Sequence, residues 1–359
     1  MPRQLDDYRL LGRSGLRVSP LSLGAMTFGL SAEWGSNNDE AAKMVDYYVD
    51  RGGNFIDTAN YYGGGGSEKV LAPLIKDRRH RLVVATKYSL SMSPGDPNAS
   101  GNQRKNMMQA VEDSLRRLGT DYIDYIDLLY LHIWDDRTPV EEILRAFDDL
   151  VRAGKIIHVG ISDTPAWQIS RMQTIADLRG WAPLIALQIP YSLVERTVER
   201  EFMPMAIEMG LGVLPWSPLG GGVLTGKYSH KDLNRQGNTT LQNLDSRKEI
   251  NLATGSLNEQ ALDIAGVVVE IAAEMGRPPA QVALAWTLLH PAVTSPIIGA
   301  RTFSQLEDNL GALEVAFSDE QIDRLEAISA IESTFPLNLI PSSHHTGLMF
   351  GNVRVEPRR

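Results

Sequence analysis

The chain has 359 residues, of which 43% are hydrophobic and 22% charged; its formal net charge at pH 7 is -9, and it has no cysteine. This composition is typical of a soluble globular protein and speaks against collagen-like or disordered chains. The negative charge disfavours nucleic acids and anionic membranes as partners, and the lack of cysteine excludes disulfides, thiolate metal sites and cysteine nucleophiles.

Targeting signals are not evident at the start of the chain. The segment MPRQLDDYRLLG has no apolar core of the kind that a signal peptide carries. No apolar run in the sequence approaches the roughly 20 residues of a membrane helix. We therefore expect a cytoplasmic protein.

Eight apolar segments alternate along the chain with segments of helical period. Most are nearly continuous apolar runs, which is typical of strands that are covered on both faces. Two shorter segments, YRLLG and LRVS, come before them and predict an N-terminal β-hairpin. The predicted strands are 21–26, 54–59, 82–87, 127–132, 156–161, 185–190, 211–216 and 294–299.

The predicted helices carry clear start and stop signals. In TPVEEILRAFDDLVRAG, Thr138 is expected to cap the helix, Pro139 to take its first position, Glu141 to complete a capping box and Gly154 to end it. Segments 39–53 and 105–119 repeat this design. The apolar stripe of the first helix consists of Val140, Ile143, Leu144, Phe147 and Val151.

Eight strands with helices between them predict an α/β fold, a (β/α)8 TIM barrel with long loops at its C-terminal face. A doubly wound sheet is the alternative, but it needs fewer strands and a G-x-G-x-x-G motif after the first one, which is lacking. We expect one domain over 1–359, with an irregular tail at 330–359 that lies on the barrel or on a partner subunit. The repeat DYIDYID at 121–127 suggests only a longer loop.

Polar residues stand at the C-terminal ends of neighbouring predicted strands, where barrel enzymes carry their chemistry. These are Asp57, Lys87 and His132, and Tyr62 follows Asp57 in NFIDTANYYGGGGSE. Taken alone, Asp57 is better explained as a helix cap or turn residue, Lys87 as a solvated charge at the rim of the barrel, and His132 as a core residue. Because adjacent strands lie about 4.8 Å apart, the groups must share one mouth. Asp57 would orient Lys87, whose ammonium would lower the pKa of the Tyr62 phenol, and His132 would hold the acceptor oxygen or shuttle a proton.

The C-terminal half of the chain is expected to bind a dinucleotide. In SPIIGARTFSQLEDNL, Thr302 is predicted to cap a helix with Gln305 at the capping-box position, and its free amides and Arg301 suit a phosphate. A 2′-phosphate would favour NADP over NAD. The glycine stretch WSPLGGGVLTGKY, with Gly222 and Lys227, would admit a pyrophosphate. Trp216 offers a face for nicotinamide, and Ser162 and Gln188 offer polar groups for its carboxamide.

In these residues the chain resembles the aldo-keto reductases, NADPH-dependent barrel enzymes, from LGRSGLRVSPLSLG to the helix after IIGAR. The resemblance implies that Asp57, Tyr62, Lys87 and His132 are catalytic, and its spacing selects Tyr62 over Tyr61. It also implies NADP(H) as cofactor, a small carbonyl or alcohol as substrate, and further cofactor contacts. The added contact residues are Gly24, Met26, Thr27, Asp163, Ser217, Leu219, Gly299, Asp308 and Asn309.

One position departs from the family. The family commonly has asparagine where this chain has Asp163. An ionised carboxylate cannot donate a hydrogen bond to a carboxamide oxygen, so Asp163 is expected to contact an amide nitrogen or another donor.

Other functions and features stay open. A nucleotide-binding regulatory subunit, like the potassium-channel β subunits, is the main functional alternative. A metal-dependent hydrolase or aldolase would need more carboxylates or histidines at the strand ends, so no metal is expected. The polar segment 228–258 is expected to be a flap over the pyrophosphate, and a homo-oligomer is possible. Aromatic residues expected at the mouth for substrate are Trp34, Tyr61, Tyr88 and Trp134.

Overall fold

In its described residues, the computed structural model has eight parallel strands arranged as a nearly closed barrel. All eight predicted strands are confirmed, and no boundary differs by more than three residues from the prediction. A bridge between Val213 and Val293 links the two edges of the sheet. In their order around the barrel, the strands are β10 (Ile297–Gly299), β3 (Ser22–Gly24), β4 (Phe55–Asp57), β5 (Val83–Tyr88), β6 (Ile126–Leu131), β7 (Ile156–Ser162), β8 (Leu184–Pro190) and β9 (Gly212–Trp216).

The predicted hairpin is also present and closes the N-terminal end of the barrel. Strand β1 (Arg9–Leu10) pairs antiparallel with β2 (Arg17–Val18). Gly12, with φ of +55°, lies against the backbone of Ile185 and Gly212, at the beginnings of β8 and β9. Leu11 is fully buried in the interior cluster of the barrel. The C-terminal ends of the strands are therefore left as the open mouth.

Helices cover the outside of the barrel. Between strands, the chain forms α1 to α6 in turn, then α7, α8 and α9 between β9 and β10. The bounds are α1 (Asn38–Asp50), α2 (Gly66–Ile75), α3 (Arg104–Leu118), α4 (Val140–Arg152), α5 (Ala166–Arg179), α6 (Phe202–Met209), α7 (Arg247–Ala253), α8 (Glu259–Met275), α9 (Pro279–Thr287), α10 (Phe303–Leu310), α11 (Asp319–Ile328) and α12 (Ser343–Phe350).

Most of the helix signals work as expected, with one correction. Gly119 ends α3 with φ of +64°, and the first four residues of the α4 stripe are buried while Val151 is half-buried. The capping prediction for α4 is wrong, because Pro139 is the N-cap and no side chain caps the helix. The hydroxyl of Thr138 instead donates to Asp135 Oδ2 at 2.8 Å.

The structure describes residues 3–30, 35–119, 126–233, 246–340, 343–351 and 353–354. Trp34, most of the DYIDYID repeat and the centre of the predicted flap lie outside the described residues. The described parts of the flap include a 3-10 turn (His230–Leu233) and α7. The tail differs from the irregular segment that the sequence predicts, because it contains α12, and Phe335 and Leu348 in it are exposed.

None of the described helices combines the length and the apolar character that crossing a bilayer requires.

Candidate active site

A buried ion pair stands at the mouth of the barrel. Asp57 ends β4 and Lys87 is the fifth residue of the adjacent β5, which pairs with it in parallel. Lys87 Nζ donates to Asp57 Oδ2 at 2.6 Å and to the carbonyl oxygen of Thr58 at 2.9 Å. The Lys87 and Asp57 side chains are 0% and 3% exposed. Burial is tolerable only because each charge has its partner and further hydrogen bonds.

Tyr62 leans over this pair. It opens a 3-10 turn (Tyr62–Gly65) in which Gly63, Gly64 and Gly65 all have positive φ. Residues with a Cβ rarely adopt this conformation, so the glycines permit the tight turn. Lys87 Nζ donates to Tyr62 Oη at 3.2 Å. The structure thus brings together three of the four residues expected to be catalytic.

The charge states of these groups follow from burial and proximity. Burial lowers the pKa of Lys87, but Asp57 and Tyr62 together raise it above its ordinary value, so the ammonium persists. Burial raises the pKa of Tyr62, and the opposing effect of Lys87 does not cancel it. The expectation of a net lowered phenol pKa is therefore wrong in this structure. Lys87 only limits an increase that burial causes.

His132 completes the group on the neighbouring strand. It follows β6, and its ring lies edge-on to that of Tyr62 with centroids 5.8 Å apart. Burial, and then the charge of Lys87, lower the pKa of His132 to about 3. Its buried Nδ1 has no hydrogen-bond partner among the described residues. The imidazole is neutral at physiological pH. It has one nitrogen that can donate and one that can accept a hydrogen bond with a bound molecule.

Polar groups from β7, β8 and β9 form the other wall. Gln188 Nε2 donates to Asp57 Oδ1 at 2.8 Å, so this amide contacts the catalytic candidates directly. Ser162 is buried at the end of β7. Asp163, with φ of +34°, accepts from Trp216 Nε1 at 3.1 Å, which agrees with the expectation of a donor partner. Trp216 remains 36% exposed at the mouth.

The cationic side chains of Lys227, Arg247 and Arg301 lie near one another, where the sequence predicts a phosphate site. Burial, followed by the charges of Arg301 and Arg247, lowers the pKa of Lys227. Burial lowers the pKa of Arg247 as well, and Arg301 contributes. A cluster of like charges of this kind suits an anion. Arg247 is the first residue of α7, which Ser246 caps. From the sequence it is expected only as a part of the flap at 228–258.

The glycine stretch lies beside this cluster. Gly222 has φ of +88°, and a Cβ built on it would lie 2.7 Å from Lys227 Nζ. The lack of a side chain at Gly222 therefore lets the Lys227 ammonium lie against the backbone. Gly222 and Lys227 fit a phosphate group whose oxygens approach both.

The start of α10 differs from the prediction of free amides. Thr302 caps the helix by accepting from the Gln305 amide at 3.3 Å, as expected. Gln305 Oε1 accepts from the Arg301 amide at 2.9 Å, and Glu40 Oε2 accepts from the Phe303 amide at 2.8 Å. The amides of Phe303 and Gln305 are engaged by the protein itself. Any anion here must therefore be bound mainly by the cationic side chains.

The remaining cofactor candidates lie at or after the C-terminal ends of β3, β9 and β10. Met26 is exposed, the Thr27 hydroxyl donates to the carbonyl oxygen of Ala300, and Ser217 has φ of +51°. Two candidates are bound internally: Asp308 accepts from Gln281, and Asn309 donates to the carbonyl oxygen of Gly299. Gly24 ends β3 and Gly299 ends β10, and Leu219 is half-buried between two core clusters.

Aromatic rings line one side of the mouth. Tyr61 is 49% exposed, and Trp134 lies edge-on to the exposed Trp167, a residue of α5 for which the sequence carries no functional signal. Trp134 Nε1 is buried without a hydrogen-bond partner among the described residues. The prediction for Tyr88 is wrong. It is the last residue of β5, fully buried, and its hydroxyl donates to the carbonyl oxygen of Asn102.

Comparisons with known proteins bear on this site. The model of the Aldo/keto reductase family matches residues 20–330. The chain is 36% identical to norsolorinic acid reductase stcV of Emericella nidulans, over 94% of this chain and 85% of that one. It is 36% identical to the uncharacterized oxidoreductase YrpG of Bacillus subtilis, over 90% and 95%. It is 33% identical to versiconal hemiacetal acetate reductase of Aspergillus parasiticus, over 89% and 96%.

Proposed function

Because this chain belongs to the aldo/keto reductase family, we propose that it is an NADP-dependent oxidoreductase that interconverts a carbonyl compound and its alcohol. The single observation that supports this most strongly is the position of Lys87 Nζ, 2.6 Å from Asp57 Oδ2 and 3.2 Å from Tyr62 Oη. In this position the charged ammonium of Lys87 lies beside the Tyr62 phenol at the open mouth of the barrel. Such an arrangement suits an oxygen that gains negative charge during reaction.

Tyr62 gives the proton to that oxygen in reduction and takes it back in alcohol oxidation. Its raised pKa keeps the phenol protonated at neutral pH, so a donor is available. As the proton leaves, Lys87 stabilises the phenolate, and Asp57 holds Lys87 in place. Neutral His132 hydrogen-bonds the substrate oxygen and fixes its approach to Tyr62.

NADP(H) is the cofactor in this proposal. When bound, its nicotinamide supplies or accepts the hydride. Lys227, Arg247 and Arg301 would bind its phosphates, and the lack of a side chain at Gly222 lets Lys227 approach the backbone there. Trp216 would support the ring, and Ser162, Asp163 and Gln188 would meet its carboxamide. The family's remaining positions complete the pocket; they are Gly24, Met26, Thr27, Ser217, Leu219, Gly299, Gln305, Asp308 and Asn309.

The substrate is a small molecule that presents its carbonyl to Tyr62 between aromatic rings. Two relatives are named for reduction of norsolorinic acid and versiconal hemiacetal acetate. The exposed rings of Tyr61 and Trp167 offer stacking surfaces for an extended apolar carbonyl. Trp134 joins them through its contact with Trp167.

The test is a panel of aldehydes, ketones and sugars, including the two named compounds, each with NADPH and with NADH. Turnover of at least one carbonyl with a preference for NADPH is expected. Tight NADPH binding without turnover of any compound would instead favour a regulatory subunit of the potassium-channel β type. We further propose that the chain acts as one domain in the cytoplasm.

A further inference from the structure

The turn that carries Tyr62 has little stiffness of its own. Three successive glycines, Gly63, Gly64 and Gly65, follow Tyr62 with positive φ. Glycine restricts the backbone least of all residues. The 3.2 Å separation of Tyr62 Oη and Lys87 Nζ must therefore be fixed by contacts from outside the turn.

A charged residue lies buried directly behind this turn. Glu68, in the first turn of α2, is 0% exposed. Its Oε2 accepts from Arg117 Nε at 2.6 Å, and its Oε1 accepts from Thr86 Oγ1 at 2.6 Å. A buried carboxylate is costly, and both of its oxygens are satisfied by these two partners.

Arg117 on α3 reaches across the turn itself. A Cβ built on Gly65 would lie 2.7 Å from Arg117 Cδ. The arginine side chain therefore passes against the last residue of the turn, while its guanidinium is held by Glu68 and by Ser114 Oγ at 3.2 Å. The contact restrains Gly65 from the side opposite the barrel interior.

The third partner connects this pair to the reacting groups. Thr86 immediately precedes Lys87 on β5, and it is fully buried. Successive residues of a strand point to opposite faces. The Thr86 hydroxyl thus donates to Glu68 on the helix side of the barrel wall. Lys87 donates to Asp57 and Tyr62 on the inner side.

We propose that the Glu68–Arg117 ion pair is a positioning device: it holds the glycine turn against the strand of Lys87 and so sets the distance between Tyr62 Oη and Lys87 Nζ. The inference rests on the proposed function for its catalytic meaning. Its geometric content is independent of turnover.

The experiment uses full-length protein labelled with 3-fluorotyrosine. The fluorine resonance of Tyr62, one of 11 tyrosines, is assigned by its loss in Tyr62→Phe. We expect Arg117→Ala and Glu68→Gln to shift or broaden this resonance. With an active substrate, kcat should fall about 10- to 100-fold, as for a misplacement of about 1 Å. The Kd for NADPH should stay within about twofold of the original, since no cofactor group is touched.

A second buried pair supplies the matched control. Arg79 Nη1 lies 2.7 Å from Asp127 Oδ2, with side chains 6% and 9% exposed, near the N-terminal end of the barrel. Asp127→Asn should lower the thermal midpoint in the same way, because it also breaks a buried ion pair. It should leave the Tyr62 resonance in place. The control thereby distinguishes a general loss of stability from a displacement of the Tyr62 phenol.

Thr86→Val removes one hydroxyl and keeps the ion pair, so it serves if the other variants do not fold. It should move the Tyr62 resonance less than Arg117→Ala does. The inference would be overturned if the Tyr62 resonance were unchanged in every variant that folds among Arg117→Ala, Glu68→Gln and Thr86→Val. If no carbonyl is ever turned over, the proposed function fails, while the resonance still decides the positioning role.

Discussion

Replacement of Lys87 by methionine tests the electrostatic core of the site. Methionine keeps the length and apolar volume of the buried stem but removes the cation that faces Tyr62. In the proposed mechanism, the phenolate that forms when Tyr62 gives up its proton then loses the Lys87 ammonium, whose Nζ donates to Tyr62 Oη. We expect carbonyl reduction to become much slower, with substrate and cofactor still bound.

The magnitude follows from the distance. Two unit charges 3.2 Å apart interact by about 5 kcal/mol at an effective dielectric constant of about 20. Water at the open mouth screens half-buried Tyr62, so this is an upper value. General acid catalysis contributes about 10²- to 10⁴-fold to rate. A decrease of kcat within that range is therefore expected for Lys87→Met.

The assay is the pH dependence of kcat for reduction and for alcohol oxidation with the same substrate pair. Oxidation should suffer more than reduction, because Tyr62 must then be ionised before the reaction, and Lys87 no longer favours that state. Wild-type kcat for Lys87→Met in both directions at neutral pH would refute the reasoning.

Stability must be separated from chemistry in this experiment. Lys87→Met leaves Asp57 buried without its cation, which costs about 3–5 kcal/mol of folding free energy. The double variant Asp57→Asn with Lys87→Met removes both charges and should regain much of that stability. It should remain as slow as the single variant. Recovery of activity in the double variant would show that folding, and not the missing cation, limits the single variant.

Further predictions concern cofactor, acidity and substrate. Arg301→Gln and Arg247→Gln should each weaken NADPH binding about 10-fold or more in tryptophan-quenching titrations, since a charge-assisted hydrogen bond is lost; an equal loss for NADH would contradict a 2′-phosphate contact. Asp163→Asn should raise the Kd of NADP⁺ about two- to fivefold relative to that of NADPH, because an exposed carboxylate no longer faces the positive ring. The pKa of His132 is lowered to about 3 in the folded state, so the unfolded state binds its proton first as pH falls. Stability is therefore lost below pH ~6.5, and His132→Gln should reduce the loss between pH 7 and 5, by at most about 2 kcal/mol in denaturant titrations. Trp167→Ala should raise KM for extended carbonyls and leave NADPH binding unchanged.

The barrel could be predicted because its information is local. Most strands lie in nearly continuous apolar runs, and several helices end at a glycine such as Gly119 or Gly180, a residue type that adopts positive φ readily. Strand order and the open mouth then follow from the topology of alternating strands and helices. Asp57 and Lys87 could be paired from the sequence for the same reason, since neighbouring strand ends must meet.

Other features depend on details that no local pattern carries. The sequence predicts that β5 ends at Lys87. In the structure the strand continues by one residue, and alternation turns the Tyr88 side chain away from the mouth. The pKa of Tyr62 depends on how deeply the phenol is buried, which spacing does not reveal. Arg247 joins Lys227 and Arg301 only through the folding of a long loop.

Capping at α10 shows the limit most clearly. Thr302 was predicted as the cap and is the cap, because the signal lies within four residues. The Phe303 amide donates to the carboxylate of Glu40, which belongs to α1, more than 200 residues earlier in the chain. A contact of that range requires the closed barrel, so the sequence alone suggested free amides where the structure has occupied ones.

The most direct measurement of the central claim is the rate of NADPH-dependent carbonyl reduction by Tyr62→Phe. The variant should bind NADPH with the Kd of the original protein, because Tyr62 bonds Lys87 and takes no part in the cationic cluster. Its kcat should fall by about 10²- to 10⁴-fold, the usual worth of a positioned proton donor. Near-original kcat in the correctly folded variant would contradict the assignment of Tyr62 as that donor.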